Sequence, residues 1–460
     1  MSVLNVYIKK FCISNNKRVI DILRIFEKNR TNLVIVIDKN EKFVGIVTIS
    51  DIRKAILNGL NNNSLIKDII NKKPIFLKDK IDENQISNIV SSEQFNHIRP
   101  PLIPIVNKKN IPYRIVNKNN LELKSLNKKE IKYKPRILLL GGAGYIGSIL
   151  AKKLLKLGYT VTIFDKFIYM SKHSLKKLIK NKNLELIQGD SRNISQIFSV
   201  VKRNDIVVHL AELVGDPLCE KQPSKTYEIN FLASMAISNI CKNLSVSKLI
   251  YISSCSVYGT NKKNDLLTEK SKILPISVYA KLKALIEKTI IRNMDEYCRP
   301  CILRLGTVFG SSIRPRYDLV INLFSGLVAN NKTLTIQGGN QWRPFIHVED
   351  VSDAIIKIIK LDKEKTNGQI FNLASFNCKI LEIGKTIKRN FPDVKIKLNE
   401  VAKDKRDYRV SSLKAQKAIK FKPKFSLEMG IKEMVKFTKK NKIKNLNLKR
   451  FQNILNSDRF

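Results

Sequence analysis

A short apolar run meets a cluster of glycines in Arg136-Ile-Leu-Leu-Leu-Gly141-Gly-Ala-Gly144-Tyr-Ile-Gly147. Residues 136–140 have the length and apolar content of a fully buried strand, and residues 148–157 have the apolar spacing of a helix. Glycines at these positions let the backbone turn tightly and bring a helix N-terminus close to a phosphate. The stretch therefore predicts a strand, a phosphate-binding turn and a helix.

An acidic residue stands where a dinucleotide site needs one. The next predicted strand, residues 161–164, ends in Asp165, which lies 18 residues after Gly147. A carboxylate at this distance can bind the ribose hydroxyls of an adenosine. Because the carboxylate repels a 2′-phosphate, the sequence predicts NAD rather than NADP as the cofactor, although the neighbouring Lys166 weakens that repulsion.

Strands continue to alternate with helices, which is the pattern of a parallel sheet with crossover helices. Further buried strands are predicted at residues 184–187, 205–211 and 248–254. We expect Asp190 to lie at the adenine edge of the cofactor and the small Ala211 to let the backbone approach it. The next residue is Glu212, a charge that the pattern does not explain.

A Tyr-x-x-x-Lys pair opens the helix that follows the strand at residues 248–254. Tyr279 and Lys283 are four residues apart, so they lie on one helical face. A phenol has a reference pKa of about 10, and an ammonium one turn away helps it to act as a base. Ser254 ends the preceding strand and can hydrogen-bond a reacting hydroxyl. We therefore predict Ser254, Tyr279 and Lys283 as the catalytic residues.

Residues 135–440 resemble an extended short-chain dehydrogenase/reductase of the nucleotide-sugar epimerase/dehydratase type. The matching segments are Gly141-Gly-Ala-Gly-Tyr-Ile-Gly147, Asp165, Gly189-Asp190, His209-Leu-Ala211, Asn230, Ser253-Ser-Cys-Ser-Val-Tyr-Gly259, Tyr279-Ala-Lys-Leu-Lys283, Leu303-Arg-Leu-Gly-Thr-Val-Phe-Gly310 and Trp342-Arg-Pro-Phe-Ile-His-Val-Glu-Asp350. The resemblance implies an α/β fold, a Rossmann-type doubly wound parallel sheet with a smaller C-terminal substrate lobe, and a homodimer formed through a helix bundle.

The same resemblance implies a tightly bound NAD and the residues that hold it. These are Gly141, Gly144, Tyr145, Ile146, Gly147, Asp165, Asp190, Ala211, Ser253, Tyr279 and Lys283. The implied substrate is a nucleotide-diphosphate sugar.

Four residues are predicted to meet that substrate. Arg343 and Arg406 match positions that hold a diphosphate in the family, and arginine suits this bidentate contact. Ser254 and Thr307 are the candidate contacts to the sugar. Thr307 stands where 4-epimerases of this type often carry Asn, so the identity of the sugar does not transfer.

Several reactions of the family begin with oxidation of a sugar hydroxyl. A 4,6-dehydratase would read Thr-Asp-Glu where this chain reads Ser254-Cys255-Ser256, so the acid and base for water loss are missing. Oxidation to a carboxylate needs a nucleophilic cysteine on a different helix, which nothing in the sequence locates. The prediction is an NAD-dependent 4-epimerase that acts through a 4-keto intermediate. The alternatives are a reductase or dehydrogenase of the same family and a nucleotide-regulated binding protein without catalysis.

Cys255 has two interpretations. It resembles the cysteine after a Ser-Ser pair in GDP-fucose synthase, which serves as a base, but residues 310–320 lack the histidine acid of that enzyme. The interpretation that we favour is a small packed side chain.

The first part of the chain follows a different pattern, which occurs twice. A helix at residues 19–26, a strand at 33–37, a turn at 38–41, a strand at 43–48 and a helix at 51–57 form the first copy. A fainter copy follows, with a helix at 81–90, a strand at 102–106, a turn at 107–110 and a strand at 114–116. The order resembles a tandem pair of cystathionine-β-synthase (CBS) domains, an α+β module.

The resemblance in the first copy is carried by Gly45-Ile-Val-Thr48-Ile-Ser-Asp51. Family members often use this Thr and Asp on a nucleotide ribose, so Thr48 and Asp51 are a candidate adenine nucleotide site. The second copy lacks the glycine, the Thr and the Asp. A purely structural or dimerising role is the alternative.

The predicted domain bounds are 1–125 for the CBS pair, 126–134 for a Lys-rich linker, 135–440 for the catalytic domain and 441–460 for a basic tail. We expect the basic segment at residues 432–459 to be a solvated helical end.

The charge of the chain is not concentrated in one segment. Lys and Arg number 85 against 39 Asp and Glu, which gives a net charge of +46. Residues 1–134 carry 26 basic and 12 acidic residues, and the remainder carries 59 and 27, so both parts have a similar excess. This spread argues against a nucleic-acid partner.

Cysteine and histidine patterns are equally uninformative about metals. The seven cysteines are scattered, as in reduced proteins, and the four histidines share no metal-ligand spacing. No apolar run reaches membrane-spanning length. The sequence predicts a cytoplasmic protein without a metal site or a membrane partner.

Overall fold

The computed structural model describes residues 6–9, 11–29, 33–61, 63–78, 102–117, 134–244, 246–260, 265–293, 300–399 and 406–453. The chain divides into two compact units, Met1–Tyr133 and Lys134–Phe460. The predicted helix at 81–90 and most of the predicted linker lie outside the described residues, so the finer domain bounds stay predictions.

The first unit contains two three-stranded sheets. Its elements are helices α1 Val6–Lys9, α2 Val19–Asn29 and α3 Ile49–Leu57, and strands β1 Cys12–Ser14, β2 Leu33–Ile37, β3 Phe43–Thr48, β4 Leu77–Lys78, β5 Leu102–Val106 and β6 Pro112–Asn117. Strand β2 pairs with β1 in parallel and with β3 antiparallel, and β5 pairs in the same way with β4 and β6. Both predicted hairpins are confirmed.

The two hairpins repeat each other in detail, since β5 and β6 begin 69 residues after β2 and β3. At the first turn the Asp38 side chain accepts hydrogen bonds from the backbone N–H groups of Asn40 and Lys42, both at 2.8 Å. At the second turn Asn107 accepts from Lys109 and Ile111 at 2.9 and 3.0 Å. An acceptor side chain at the first turn position therefore fixes the same hairpin in both copies.

The second unit is built from strands alternating with helices. Its strands are β7 Ile137–Leu140, β8 Val161–Asp165, β9 Leu184–Gln188, β10 Ile206–His209, β11 Lys248–Ser254, β12 Leu266–Leu267, β13 Cys301–Leu305, β14 Thr307–Phe309, β15 Leu334–Gln337, β16 Trp342–His347, β17 Ile370–Leu373, β18 Phe376–Lys379, β19 Ile396–Asn399 and β20 Arg409–Val410.

Its helices are α4 Tyr145–Lys156, α5 Lys176–Ile179, α6 Ile194–Lys202, α7 Asp216–Lys221, α8 Pro223–Thr226, α9 Ala233–Asn243, α10 Val278–Arg292, α11 Val320–Ala329, α12 Val348–Lys360, α13 Lys363–Thr366, α14 Ile380–Asn390, α15 Leu413–Ile419 and α16 Leu427–Lys440. A π-helical turn, Tyr227–Leu232, joins α8 to α9.

Seven strands form one parallel sheet in the order β17-β13-β11-β10-β7-β8-β9. The chain winds outward from β7 to β9, returns to β10 and then winds outward to β17. The predicted doubly wound Rossmann-type sheet is therefore confirmed. In such sheets ligands bind beyond the carboxyl ends of the strands where the winding direction reverses, which here is between β7 and β10.

Helices cover both faces of this sheet because its strands are apolar on both sides. Leu139 and Ile163 pack in one cluster with residues of α4 and α12. Leu138 and Phe164 point to the opposite face and pack with residues of α6 and α9. The sheet is thus the centre of a three-layer sandwich.

A smaller lobe, whose segments lie before and after β17 in the chain, carries its own core. Its sheets are β14-β16-β18 and β15-β19, and its helices include α11, α14 and α16. Phe309, Phe324, Phe345 and Ile383 are buried in this core. The predicted C-terminal lobe is therefore present and has a hydrophobic core separate from that of the seven-stranded sheet.

The prediction of a solvated helical end at residues 432–459 is wrong for the described residues beyond Lys440, where α16 ends. Ile443, Leu446 and Phe451 are 8%, 5% and 5% exposed and pack with Tyr317 and Met434. The many lysines of this segment concealed three apolar residues that follow the end of α16 without helical spacing. The described residues of this segment therefore pack against the rest of the second unit.

Among the described residues, no helix combines the length and the apolar character needed to cross a bilayer.

Truncating Phe451 tests the packing of this segment. Its ring meets Tyr317 edge-on at 5.5 Å, so Phe451→Ala is expected to lower the free energy of unfolding by about 3 kcal/mol. Leu448, which is 40% exposed, is the matched control, and Leu448→Ala should cost less than about 1 kcal/mol. Thermal unfolding of both variants measures the difference. Equal losses would contradict the packing described here.

Candidate active site

A cavity of about 690 Å³ in the second unit gathers the predicted site residues at the carboxyl ends of the central strands. Its lining includes Gly141, Gly144, Tyr145, Ile146, Gly147, Asp165, Asp190, Ala211, Ser253, Ser254, Tyr279, Lys283, Thr307, Arg343 and Arg406. The structure therefore brings together every site residue that the sequence predicts in this unit. Their individual binding roles stay predictions.

The turn after β7 admits only glycine. Gly141 has a φ of +77°, and a Cβ there would lie 2.7 Å from the backbone nitrogen of Ala211. A Cβ at Gly147 would lie 2.6 Å from the Cα of Gly142. These contacts explain both glycines, the first by conformation and the second by the close packing of helix against turn.

Helix α4 begins inside the cavity without a side-chain cap. Its N-cap is Gly144, so the first-turn N–H groups receive no hydrogen bond from a capping side chain. The hydroxyl of Tyr145 donates to the Gly310 carbonyl at 2.6 Å and accepts from Asn322 at 3.1 Å. This residue therefore anchors the start of α4 to the segment that leads into the C-terminal lobe.

Asp165 supports the glycine turn as well as facing the cavity. Its carboxylate accepts the backbone N–H of Ala143 at 2.9 Å and of Phe167 at 2.8 Å. Burial raises the pKa of Asp165, and these hydrogen bonds oppose the rise. The acid that we predicted for a ribose thus also fixes the turn that we predicted for a phosphate.

Asp190 is held by two cations. Lys166 lies 2.9 Å and Arg192 2.8 Å from its carboxylate. Although burial raises the pKa of Asp190, the hydrogen bonds from Arg192 and Lys166 hold it well below its usual range. The Lys166 ammonium is therefore engaged by Asp190, and Asp165 stays the predicted contact to a ribose.

These residues fit a dinucleotide. Gly141, Gly144 and Gly147 line the cavity with backbone and no side chain, and the uncapped N-terminus of α4 supplies N–H donors for a pyrophosphate. Asp165 stands at the end of β8, where ribose hydroxyls are bound in this fold. Gly141, Gly144, Gly147 and Asp165 would hold the cofactor.

The predicted catalytic helix is present as α10. Ser277 caps it by accepting the N–H of Ala280 at 3.2 Å and donates to Asp216 at 2.5 Å. Tyr279 and Lys283 lie on one face, with the Lys283 Nζ 5.7 Å from the centroid of the Tyr279 ring. The structure therefore confirms the juxtaposition that the spacing predicts.

Glu212 is the site residue that the sequence left unexplained. Its side chain is 3% exposed and forms an ion pair with Lys283, whose side chain is 4% exposed. Burial raises the pKa of Glu212, and Lys283 opposes that rise. Burial, followed by the charge of Glu212, raises the pKa of Tyr279 well above its usual range.

The loop that carries Glu212 is fixed from the π-helical turn. Asn230 is 1% exposed, and its amide accepts the backbone N–H of Leu213 and donates to the carbonyl of the same residue, both at 2.8 Å. A π-helical turn next to a functional loop is a common arrangement. Asn230 therefore acts on the site through the backbone of residue 213.

The two serines at the end of β11 differ in their contacts. Ser254 accepts hydrogen bonds from the backbone N–H and the hydroxyl of Ser256, at 3.1 and 2.9 Å. Ser253 is buried and donates to Glu287, which is paired with Arg304 at 2.6 Å. The Ser253 hydroxyl thus belongs to a structural network, and a cofactor contact at this residue would use other atoms.

Cys255 is completely buried, and its thiol donates to the carbonyl of Arg304 at 3.2 Å. Burial raises the pKa of this thiol far above its usual range. Cys255 also does not line the cavity, whose lining includes Ser254 and Ser256 on either side. These observations agree with the packed side chain that the sequence analysis favoured.

The two arginines predicted for the diphosphate lie together. Arg343 donates to the carbonyls of Trp342 and Arg406. Arg406 pairs with Asp216 at 2.8 Å, and Asp216 also accepts from the cap of α10. The predicted diphosphate arginines are thereby connected to the start of α10.

Sequence reasoning missed a contact between the C-terminal segment and the cavity. Arg314 donates to the side chain of Asn453 at 2.7 Å, and Asn453 donates to the carbonyl of Val214 at 3.0 Å. Arg314, Val214 and Asn453 all line the cavity. Because Asn453 is 239 residues from Val214, no local pattern indicates this contact.

The candidate nucleotide pair of the first unit forms a capping box. The Thr48 hydroxyl and backbone N–H donate to Asp51 Oδ2 at 2.7 and 2.8 Å, and the Asp51 N–H donates to the hydroxyl at 3.3 Å. These bonds give Thr48 and Asp51 a structural role at the start of α3. Nucleotide binding there stays a prediction.

Among the described residues, no group of three or more His, Cys, Asp or Glu side chains is placed to hold a metal ion.

A methyl group at Gly141 tests the cofactor cradle. Gly141→Ala is expected to weaken NAD binding at least about tenfold, because the new Cβ collides with Ala211 and the positive φ is strained. Gly368 has a similar φ of +72° but does not line the cavity. Gly368→Ala should therefore lower stability without changing NAD affinity. Titration of both variants with NADH by fluorescence measures the effect, and equal affinities would contradict it.

The comparisons with known proteins agree with this geometry. The family model for the CBS domain matches residues 6–58. A dTDP-D-glucose 4,6-dehydratase of Dictyostelium discoideum is 31% identical over 271 residues, which cover 55% of this chain but only 61% of that protein. Protein CapI of Staphylococcus aureus is 31% identical over 234 residues, 49% of this chain and 69% of that protein.

A solved structure shows the same architecture. The UDP-N-acetylglucosamine 4-epimerase of Methanobrevibacter ruminantium M1, in complex with UDP-N-acetylmuramic acid, is 27% identical with a TM-score of 0.59 and covers 66% of this chain and 99% of that one. The family model described as NAD dependent epimerase/dehydratase matches residues 137–374, more than half of the chain. This protein therefore belongs to the NAD dependent epimerase/dehydratase family, and its cofactor is NAD.

Proposed function

We propose that this protein epimerises a nucleotide-activated sugar at C4 through a transient 4-keto intermediate, in the synthesis of a surface polysaccharide or glycan precursor. The observation that carries the proposal is the placement of Ser254, Tyr279 and Lys283 on one cavity with the glycine turn. This set suffices for reversible oxidation of a sugar hydroxyl. A homodimer and a cytoplasmic location complete the proposal.

Each of the three residues has a defined task. Tyr279, as the phenolate, takes the proton of the C4 hydroxyl and becomes the neutral phenol, and the ammonium of Lys283 stabilises the phenolate before this transfer. Ser254 hydrogen-bonds the same sugar oxygen and keeps it within reach of Tyr279. NAD, when bound, would supply reversible hydride transfer at the sugar carbon. The sugar must turn over between the two transfers, within the cavity of about 690 Å³.

Carboxylates in the cavity argue against dehydration. Those that line it are already engaged: Asp165 by the glycine turn, Asp190 by Lys166 and Arg192, Glu212 by Lys283, Asp216 by Arg406, and Asp318 by Arg316. Among the described residues, none of these stands beside Ser254 as an unpaired acid or base. Cys255 and Ser256 occupy the positions where a 4,6-dehydratase carries its carboxylates, and Cys255 is turned into the core.

The proposed substrate is a sugar linked to a nucleoside diphosphate. Arg343 and Arg406 adjoin one another in the cavity and can pair with a diphosphate bidentately. For this contact Arg406 exchanges its pairing with Asp216 for pairing with the phosphate. The solved relative in complex with UDP-N-acetylmuramic acid supports the class of substrate.

A panel of UDP-, GDP- and dTDP-sugars followed by product NMR and mass spectrometry tests the proposal. We expect an isomer of unchanged mass and no net change in NADH absorbance. Sustained NADH formation would instead indicate a dehydrogenase, and loss of one water would indicate a dehydratase. Either result contradicts the 4-epimerase.

Substitution of the catalytic lysine gives a second test. Lys283→Ala should lower kcat at least about 100-fold, because the phenolate of Tyr279 loses its ammonium. Lys281 lies on the same helix and is exposed, so Lys281→Ala is the control and should keep its activity. Steady-state kinetics on whichever sugar is turned over measures both, and comparable activity of the two variants would remove the proposed mechanism.

For the first unit we propose weak binding of an adenine nucleotide at Thr48 and Asp51. Calorimetry on the full chain, with the NAD site filled by excess NADH, should detect AMP, ADP or ATP. Asp51→Asn should weaken this binding about tenfold by removing a charged acceptor. Asp68, an exposed carboxylate of the same unit, supplies the control Asp68→Asn. Absence of heat from all three nucleotides would leave the capping box as the whole role of the pair.

A further inference from the structure

The carboxylate of Glu212 is buried beside Lys283, one of the proposed catalytic residues. Glu212 lies three residues after the end of β10 and forms an ion pair with Lys283 through Oε2. The hydroxyl of Tyr251, on β11, donates to its other oxygen, Oε1, at 2.8 Å. Burying a carboxylate costs several kcal/mol even when it is paired. A charge retained at such a cost, in contact with a predicted catalytic residue, calls for a functional explanation.

The ammonium of Lys283 is enclosed by these same groups. Its Nζ donates to the carbonyl of Ile252 and to the hydroxyl of Tyr251, the latter at 3.2 Å. It lies 4.7 Å from the centroid of the Tyr251 ring and 5.7 Å from that of Tyr279. Glu212 supplies the one negative charge among these contacts, so it decides how much of the positive charge reaches Tyr279.

We propose that Glu212 is a positioning residue for the catalytic pair: its carboxylate fixes the Lys283 ammonium beside Tyr279 and withholds part of that positive charge from the phenol. The proposal rests on the proposed function in that it takes Tyr279 and Lys283 to be the catalytic pair. It explains the charge at position 212 that the sequence pattern did not.

The sign of the effect follows from electrostatics. A negative charge disfavours loss of a proton from a neutral phenol and from an ammonium alike. Tyr279 and Lys283 interact closely, so they titrate as a couple, and removal of Glu212 lowers the pH at which the couple loses its first proton. With Glu212 present, phenolate formation depends more strongly on the positive charge of oxidised NAD.

Other titratable groups surround the pair. Tyr251 and Glu287 belong to β11 and to α10, and His209 lies at the end of β10. Burial, and after it Lys283, lowers the pKa of His209 to about 3, so this imidazole is neutral. Asp216 and Cys219 on α7 raise the pKa of Tyr279, and Arg316 lowers it. Of these neighbours, Glu212 is the carboxylate in direct contact with Lys283.

Glu212→Gln in the NAD-loaded full-length protein tests the proposal. Tyrosinate absorbance is recorded against pH for wild type and for Glu212→Gln. From each titration curve, the curve of the same protein carrying Tyr279→Phe is subtracted, which leaves the signal of Tyr279. We expect the signal of Tyr279 to begin at least about one pH unit lower in Glu212→Gln. With a sugar that is turned over, the part of the pH profile in which kcat rises with pH should also move to lower pH, while KM changes little.

Two further variants separate positioning from simple destabilisation. Glu212→Asp keeps the charge but draws it back by one methylene, so kcat should fall about tenfold while the pH dependence stays that of wild type. Glu287→Gln removes an equally buried carboxylate from α10 whose partner is Arg304, so it should lower stability without an equal shift. Glu212→Asp also serves should Glu212→Gln fail to fold.

Three results would overturn the proposal. The first is that Glu212→Gln shows no Tyr279 absorbance signal up to the pH at which it unfolds. The second is that the onset of this signal shifts in pH as far in Glu212→Asp as in Glu212→Gln. The third is that it shifts equally far in Glu287→Gln. The absorbance titration needs no sugar. Failure of the wild type to turn over any sugar nucleotide would therefore refute the proposed function, while the role of Glu212 would still be decided.

Discussion

The backbone at Gly141 can carry no side chain, and much of the active site depends on that restriction. A Cβ there would stand 2.7 Å from the nitrogen of Ala211, which shows how closely the turn after β7 approaches the end of β10. This approach occurs where the sheet reverses its direction of winding. It places the uncapped start of α4 and the loop carrying Glu212 on the same cavity. One close contact thus fixes both the predicted phosphate-binding turn and Glu212, a neighbour of the proposed catalytic residue Lys283.

Helix α10 extends this arrangement across the molecule. Tyr279, Lys283 and Glu287 follow one another at intervals of four and share a face. Tyr279 and Lys283 line the cavity, whereas Glu287 pairs with Arg304 of β13 in the core. The two buried ion pairs of α10 are Lys283–Glu212 and Glu287–Arg304. Because desolvation offsets most of the attraction in a buried pair, they contribute little net stability. Their effect is on register, since sliding α10 by one residue would break both pairs at once.

What the sequence predicts and what it misses are separated by the range of the interactions. The glycine turn, Asp165, Tyr279 and Lys283 are found because each depends on spacing within one strand-turn-helix unit. Glu212 and Asn453 act through residues distant in the chain, so no local pattern reveals their partners. For Ser253, the sequence predicts the position of the residue but not the partner of its side chain. Its position at the end of β11 is predicted, but its hydroxyl is directed to Glu287 by a contact that only the fold creates.

The two copies in the first unit share a hairpin backbone although their side chains differ. Asp38 and Asn107 differ in charge, yet both accept the same two backbone N–H groups, because the turn requires an acceptor and not a charge. The capping box is more demanding, since Thr48 and Asp51 must accept and donate reciprocally. A ribose bound at this pair would have to share the Asp51 carboxylate with the backbone N–H of Thr48. Any affinity there is therefore limited by competition with the helix cap.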